Sequence, residues 1–135
     1  MPQLDDIEAG IILDFLENQG RERGIDPETS AIATQGTEIC GAILVQSAEP
    51  FIEYLVVSGP HRRRGLGRSL VIQALCKLKA TGSTVVGVSV NIDNKISESL
   101  FRGVGFSSCI PCELIYSIYR SETMLLNTDT ITLSR

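Results

Sequence analysis

The stretch that decides the fold runs from residue 55 to residue 69 and reads Leu-Val-Val-Ser-Gly-Pro-His-Arg-Arg-Arg-Gly-Leu-Gly-Arg-Ser. An apolar strand leads into a turn over 58–60, and an amphipathic helix begins near Arg68. Because Gly65 and Gly67 carry no side chains, amide N–H groups at the helix N-terminus can point at an anion, and the helix dipole adds positive charge there. Three consecutive arginines before the glycines add cationic donors. The loop therefore suits a pyrophosphate group.

The composition indicates one soluble domain. The chain has 135 residues, of which 43% are apolar and 21% charged, so it can build a core of its own. Its longest apolar runs fall far short of the roughly 20 residues that a membrane-spanning helix needs. Residues 1–6 lack the basic start of a signal peptide. The net charge of −4 disfavours nucleic-acid binding. We therefore expect a cytoplasmic protein that binds neither nucleic acid nor a membrane.

The four cysteines raise the question of a metal or redox site. Cys40 and Cys76 fall in apolar patterns, where a thiol packs as a small buried side chain. Cys109 and Cys112 have the spacing of a zinc half-site or a redox motif, but the following residues, 113–119, predict a strand and not a helix. We predict no metal site, and we leave open whether Cys109 and Cys112 have a role.

Hydrophobic periodicity and turn residues divide the chain into helices and strands. The predicted elements are a helix over 5–19, strands over 30–34, 38–46 and 51–57, a helix over 65–80, a strand over 85–90, a helix from 94 to 104, and strands over 112–119 and 123–126. The segment 128–133 either extends the sheet or forms a tail, and Asp93 or Asn94 can cap the helix that follows them. The strand, helix and strand over 51–90 make a right-handed parallel unit with the glycine loop at its carboxyl edge. These elements predict an α/β fold.

Two blocks of sequence together resemble the GNAT superfamily of acyl-CoA-dependent N-acyltransferases. That family carries an apolar strand followed by Arg/Gln-x-x-Gly-x-Gly/Ala, and segment 62–67 is Arg-Arg-Arg-Gly-Leu-Gly. Its second signature is an asparagine seven residues before an aromatic residue and then Gly-Phe, here Asn94, Phe101 and the pair at 105–106. The resemblance implies a single domain over 1–135. It also implies a mixed, mostly antiparallel sheet with a splayed parallel strand pair and helices on both faces.

The resemblance also implies that acetyl-CoA is a co-substrate and lies where the parallel strands splay apart. Backbone groups of Leu55, Val56 and Val57 would pair with the pantetheine arm, and the Val57 amide would polarise the thioester carbonyl. Asn94 would touch the pantetheine, and Phe101 would also contribute to the cofactor site. The pyrophosphate would be held by the loop and helix start from Arg63 to Arg68, namely Arg63, Arg64, Gly65, Leu66, Gly67 and Arg68, and Arg62 would also contribute to the cofactor site.

In such an enzyme an amine attacks the thioester directly, so a base must take up the ammonium proton. Glu53 is the candidate base, because family members often place a carboxylate on this strand; a chain of water molecules, with Glu53 merely solvated, is the alternative. Many relatives carry a tyrosine acid where this chain has Phe101, and a phenyl ring cannot donate a proton. Tyr116 or Tyr119 could substitute for it. With a pKa near about 8.5, the thiol can also leave as a thiolate without protonation.

Other functions fit the sequence less well. A dinucleotide-binding fingerprint needs a third glycine where this chain has Leu70, and a Walker A loop needs Gly-Lys-Ser/Thr. Three arginines on an acidic domain are too few for appreciable nonspecific binding to nucleic acid. We expect His61, the only histidine, to be exposed and without a role.

The main alternative within the resemblance is a non-catalytic acyl-CoA-binding regulatory module of the same fold, and Phe101 is its best support. In the family, acceptor choice depends on regions that correspond here to residues 17–30 and 107–125, and neither contains a motif that identifies the amine. The acceptor is therefore a primary amine of a small molecule or peptide, without further definition. Homodimer formation through the C-terminal strands is a further expectation.

Overall fold

The computed structural model describes residues 24–91, 93–108 and 121–131 of the chain. Its elements, in chain order, are β1 (Ala31–Gln35), β2 (Glu38–Gln46), β3 (Phe51–Val57), α1 (Leu66–Ala80), β4 (Val85–Asn91), α2 (Lys95–Val104), β5 (Ser107–Ser108) and β6 (Ser121–Asn127). Short 3-10 turns cover Gly59–His61 and Thr128–Thr130. The predicted helix over 5–19, the predicted strand over 112–119, and the Cys109 and Cys112 pair lie outside the described residues.

The described strands form one mixed sheet in the order β1-β2-β3-β4-β6-β5. Four of the five neighbouring pairs are antiparallel, and β3 with β4 is the parallel one. The expectation of a mixed, mostly antiparallel sheet is confirmed. The short strand β5 was not predicted, and the segment 128–133, for which the sequence allows a strand or a tail, begins with a 3-10 turn.

The main core lies between the sheet and both described helices. α1 contributes a stripe of apolar side chains at helical spacing. The fully buried residues of this core come from α1 and from the strands that it covers: Ile43, Val45, Val71, Leu75, Leu78, Val86, Met124 and Leu126. Phe101 of α2 joins the same core. Burying each such side chain is worth about 1.5–3 kcal/mol. A helix on the opposite face stays a prediction, since it depends on residues 5–19.

β3 and β4 pair at only two positions, which are the first two residues of β3 and the middle of β4. Phe51 is opposite Gly87 and Ile52 is opposite Val88, and beyond these positions the two strands diverge. The Phe51 ring lies close over Gly87, where an added Cβ would meet it at 2.9 Å. The two carboxyl ends are therefore splayed apart, as the resemblance implied.

A β-bulge at Glu53 coincides with the start of this divergence. Val45 of β2 is opposite Ile52 and Leu44 is opposite Tyr54, so Glu53 is an extra residue in β3. Bulges bend a strand and shift which face its later side chains occupy. In agreement, Ile52 and Leu55 both pack with the main core, although an unbroken strand would direct them to opposite faces.

Among residues 24–91, 93–108 and 121–131, no helix is both long enough and apolar enough to cross a bilayer. The same described residues contain no cluster of three or more His, Cys, Asp or Glu side chains that could hold a metal ion.

Candidate functional site

The divergence of β3 and β4 leaves a cavity of about 180 Å³, here called the wedge. A second cavity of about 450 Å³, here called the groove, runs over the end of β3 and the start of α1. Leu55, Asn94 and Ser97 line both cavities, so the two form one continuous surface. A ligand bound there could extend from the arginine-glycine loop to the opened edge of the sheet.

The backbone N–H and C=O groups of β3 point alternately toward β2 and toward this opening. The Ser58 amide donates to the Cys40 carbonyl at 2.8 Å, and the Val56 carbonyl oxygen lies beside Gly41 of β2, where an added Cβ would be 2.9 Å from it. Because N–H and C=O groups of alternate residues point to the same edge, the backbone groups of Leu55 and Val57 face the opening. Of the three residues implied to pair with a pantetheine arm, these two have the required orientation, whereas Val56 is directed at β2.

The start of α1 presents backbone donors to the groove. Gly65 precedes the helix with a left-handed φ of 83°, and no side chain of the described residues caps it. The first intrahelical bond runs from Ser69 N to Gly65 O at 3.0 Å. The amides of Leu66, Gly67 and Arg68 therefore lack partners within the helix, and all three residues line the groove. Such an amide cluster, with the positive end of the helix dipole, is suited to a phosphate group.

The arginines of the loop are not equivalent. Arg62, Arg63 and Arg68 line the groove, whereas Arg64 does not. Arg62 donates from Nε to the Val57 carbonyl at 2.9 Å, which anchors its side chain at the end of β3. Arg63 is the one non-glycine residue with positive φ, 64°, among the described residues. Such a conformation costs on the order of 1–3 kcal/mol and is concentrated at binding and catalytic sites.

Gly67 serves packing as well as access to the backbone. A Cβ at this position would lie 3.1 Å from Leu100 Cδ1 and 3.5 Å from Val57 Cγ2. α1 therefore approaches both α2 and β3 closely at the groove. The sequence predicts only that Gly67 opens the backbone to a ligand, and the close approach of α2 is a second reason for the glycine.

The start of α2 is fixed by Asn94, one of the two caps that the sequence allowed. Its Oδ1 accepts from Ser97 N at 3.0 Å. Since the oxygen is used for the cap, the two N–H donors of the same amide group can bind a ligand. Asn94 lines both the wedge and the groove, which agrees with a contact to the middle of an extended ligand.

His61 is not exposed, although the sequence had led us to expect that it is. It is half-buried, lines the groove and has three polar neighbours. Ser58 Oγ is 2.8 Å from Nδ1, while Gln35 Oε1 and Cys40 Sγ are 3.0 Å and 3.4 Å from Nε2. These contacts join the turn before the arginines to the β1–β2 hairpin. They were not predictable locally, because Gln35 and Cys40 lie 26 and 21 residues away in sequence.

Two residues on which the catalytic interpretation of the sequence depends line the wedge. They are Glu53, the candidate base, and Phe101, which replaces the tyrosine acid of many relatives. Glu53 is half-buried at the bulge and lines the wedge. Phe101 also lines it and is 3% exposed, with its ring packed edge-on against Phe106 at 5.4 Å between centroids. The other polar residues that line the wedge are Tyr54, Ser89, Asn91, Asn94 and Ser97, and of these only Asn94 was predicted as a site residue from the sequence. The position of Ser97, one helical turn before Phe101, is a pattern that could have identified it.

Comparison with known proteins gives a family match and a set of similar folds. Residues 6–106 match the Acetyltransferase (GNAT) family. A Bacillus subtilis acetyltransferase in complex with CoA superposes with a TM-score of 0.65 at 18% identity, covering 92% of this chain and 86% of that one. The PaiA N-acetyltransferase of Thermoplasma acidophilum, in complex with coenzyme A, gives 0.67 at 14% identity and covers 89% and 70%.

The ribosomal-protein-S18-alanine N-acetyltransferase of Escherichia coli gives a TM-score of 0.64 at 14% identity and covers 98% of this chain and 94% of that one. Comparison with curated protein sequences finds no match. At these identities the structural similarities establish the fold alone.

Proposed function

The chain belongs to the Acetyltransferase (GNAT) family, and from this premise we propose that it transfers an acetyl group from acetyl-CoA to a primary amine of a small molecule or peptide. The observation that carries the proposal is the continuity of the wedge with the groove. One surface thereby joins a helix start suited to an anion to a strand edge that no described strand pairs with beyond Ile52, and a long phosphorylated thioester requires both features. A cytoplasmic location and a homodimer remain predictions from the sequence.

In the proposed complex the diphosphate of acetyl-CoA binds the amides of 66–68 and the side chains of Arg62, Arg63 and Arg68. The pantetheine arm follows β3, where the backbone groups of Leu55 and Val57 face the opening. The CoA held by the solved relatives from B. subtilis and T. acidophilum supports this choice of ligand. Asn94 donates from its amide nitrogen to the arm where the groove meets the wedge.

The reaction is direct attack in a ternary complex. The neutral amine nitrogen attacks the thioester carbonyl carbon, the carbon–sulfur bond breaks, and its electron pair leaves with sulfur. A hydrogen bond from the Val57 amide polarises the carbonyl. Glu53, at the wedge wall, takes up the proton from the amine, a contribution that is typically worth about 10² to 10⁴ in rate.

A second function, a non-catalytic acyl-CoA-binding module, is favoured by one observation. Phe101 fills the position of the tyrosine acid with a buried ring that cannot donate a proton. The cofactor surface would be identical in the two cases. Only turnover can therefore separate them.

Two measurements test the proposal. Thermal unfolding is followed with CoA, acetyl-CoA and longer acyl-CoA thioesters; a ligand at 100 times its Kd stabilises by about 2.7 kcal/mol. Release of free thiol from acetyl-CoA is then measured with a panel of primary amines. We expect stabilisation by acetyl-CoA and amine-dependent thiol release. Stabilisation without release from any amine would favour the binding module, and a protein that binds no CoA species would contradict both functions.

A further inference from the structure

The two serines of α2 occupy different environments. Ser97 is half-buried and lines both the wedge and the groove, whereas Ser99 is exposed and lines neither. The Ser97 amide is used by the Asn94 cap at 3.0 Å. Its hydroxyl has no hydrogen-bond partner among the residues that the structure describes. That hydroxyl is therefore available to donate to a bound molecule.

Ser97 and Phe101 lie on the same face of α2. They are four residues apart, the spacing that stacks side chains on successive helical turns, and both line the wedge. The phenyl ring is fixed by Phe106 and offers no proton. The hydroxyl of Ser97 lies one turn closer to the helix start, where the wedge meets the groove, so a ligand that passes from one cavity to the other passes this group.

We propose that the Ser97 hydroxyl donates a hydrogen bond to the sulfur of CoA as the thiolate leaves, in place of the absent proton donor at Phe101. This inference rests on the proposed acetyl transfer. When the carbon–sulfur bond breaks, the electron pair stays on sulfur and the amine proton goes to the base, so Ser97 keeps its own proton. A thiol with a pKa near about 8.5 needs its anion stabilised and does not need to be protonated in order to leave. The positive end of the α2 dipole adds to that stabilisation.

The most direct test is to measure the pKa of the thiol of CoA bound to the protein. The ultraviolet absorbance of the thiolate reports this pKa in a pH titration. Ser97→Ala is expected to raise this pKa by about one unit, the size of one hydrogen bond to a charged group. Ser97→Thr, which keeps the hydroxyl, and Ser99→Ala, the matched control on the same helix, are expected to leave it within about 0.3 units of the wild type. Thermal unfolding of each variant shows whether it folds.

Turnover supplies a second readout that a structural role would not reproduce. Ser97→Ala is expected to lower kcat about tenfold while KM for acetyl-CoA changes less than about twofold. Phe101→Tyr, which places a phenol at the position of the absent donor, is expected to restore most of that loss in the Ser97→Ala background.

The outcomes separate the two proposals. A thiol pKa that is the same in the folded wild type and Ser97→Ala overturns the role of Ser97, even if the wild type transfers acetyl groups efficiently. Failure of the wild type to bind CoA overturns the proposed function together with this inference. If CoA binds without turnover, the thiol pKa of the bound CoA decides the inference by itself.

Discussion

At the scale of single residues, Glu53 is placed at the wedge by the bulge and not by strand alternation. It is the extra residue between Ile52 and Tyr54, at the position where β4 stops pairing with β3. A carboxylate there borders the space in which the thioester would lie, and its half-buried state leaves it accessible to an incoming amine.

Glu53→Gln tests this position by removing the base with little change of shape. We expect kcat to fall by about 10² to 10⁴ while KM for acetyl-CoA stays the same, because the glutamine cannot take up the proton. The measurement is steady-state thiol release with the amine that gives the fastest turnover. Glu38→Gln is the control, since Glu38 is exposed and lines neither cavity. An unchanged kcat would assign proton removal to water.

Arg63 and Arg64 are adjacent in sequence but differ in their relation to the groove. Arg63 lines the groove and Arg64 does not. Arg63→Gln is therefore expected to weaken acetyl-CoA binding about tenfold through loss of a direct phosphate contact, and Arg64→Gln less than about threefold, although both variants lose one charge. Calorimetric titration measures both affinities. Equal losses would mean that the arginines act only through net charge.

At the scale of elements, an ion-pair network attaches α2 to the sheet. Arg102 Nη2 lies 3.1 Å from Glu98 Oε2 on the same helix and 3.4 Å from Glu122 Oε1 on β6. The hydroxyl of Ser108 also bonds to Glu122. Since the other end of α2 carries Asn94 and Ser97, this network helps to fix the helix that forms one wall of the site.

The network predicts that the pKa of Glu98 is lowered in the folded protein. The hydrogen bond from Arg102, followed by the charge of Lys95, lowers the pKa of Glu98 below its ordinary value of 4.5. A lowered pKa in the folded state means that the contribution to stability is present at neutral pH and is lost as the pH falls through the folded-state pKa. The Glu98 carboxyl carbon shift is expected to titrate below 4.5. Arg102→Gln should move the midpoint back upward, and a wild-type midpoint at or above the ordinary value would contradict the network.

At the scale of the whole molecule, the parts that the sequence predicted are those set by local pattern. The β1–β2 hairpin, α1 after its glycines, β4 and the Asn94 cap follow from periodicity and turn residues over a few positions. They needed no knowledge of distant partners.

The features that escaped prediction depend on distant pairing. The bulge at Glu53 leaves no mark in Phe-Ile-Glu-Tyr-Leu-Val-Val, because only the register against β2 creates it. The contacts of His61 arise from the β1–β2 hairpin, and the local sequence does not mark the positive φ of Arg63 or its place in the groove. Ser97 was overlooked, although its position one helical turn before Phe101 is a local pattern that could have identified it.

The measurement that tests the central claim most directly is the amide chemical-shift map of the ¹⁵N-labelled protein on addition of acetyl-CoA. If the diphosphate binds the start of α1 and the thioester arm follows the open edge of β3, the largest shifts will come from Leu66, Gly67, Arg68, Leu55 and Val57. Val85 and Leu125, which line neither the wedge nor the groove, will change little. Saturable binding with the largest shifts elsewhere, or with none at the start of α1, would contradict the account.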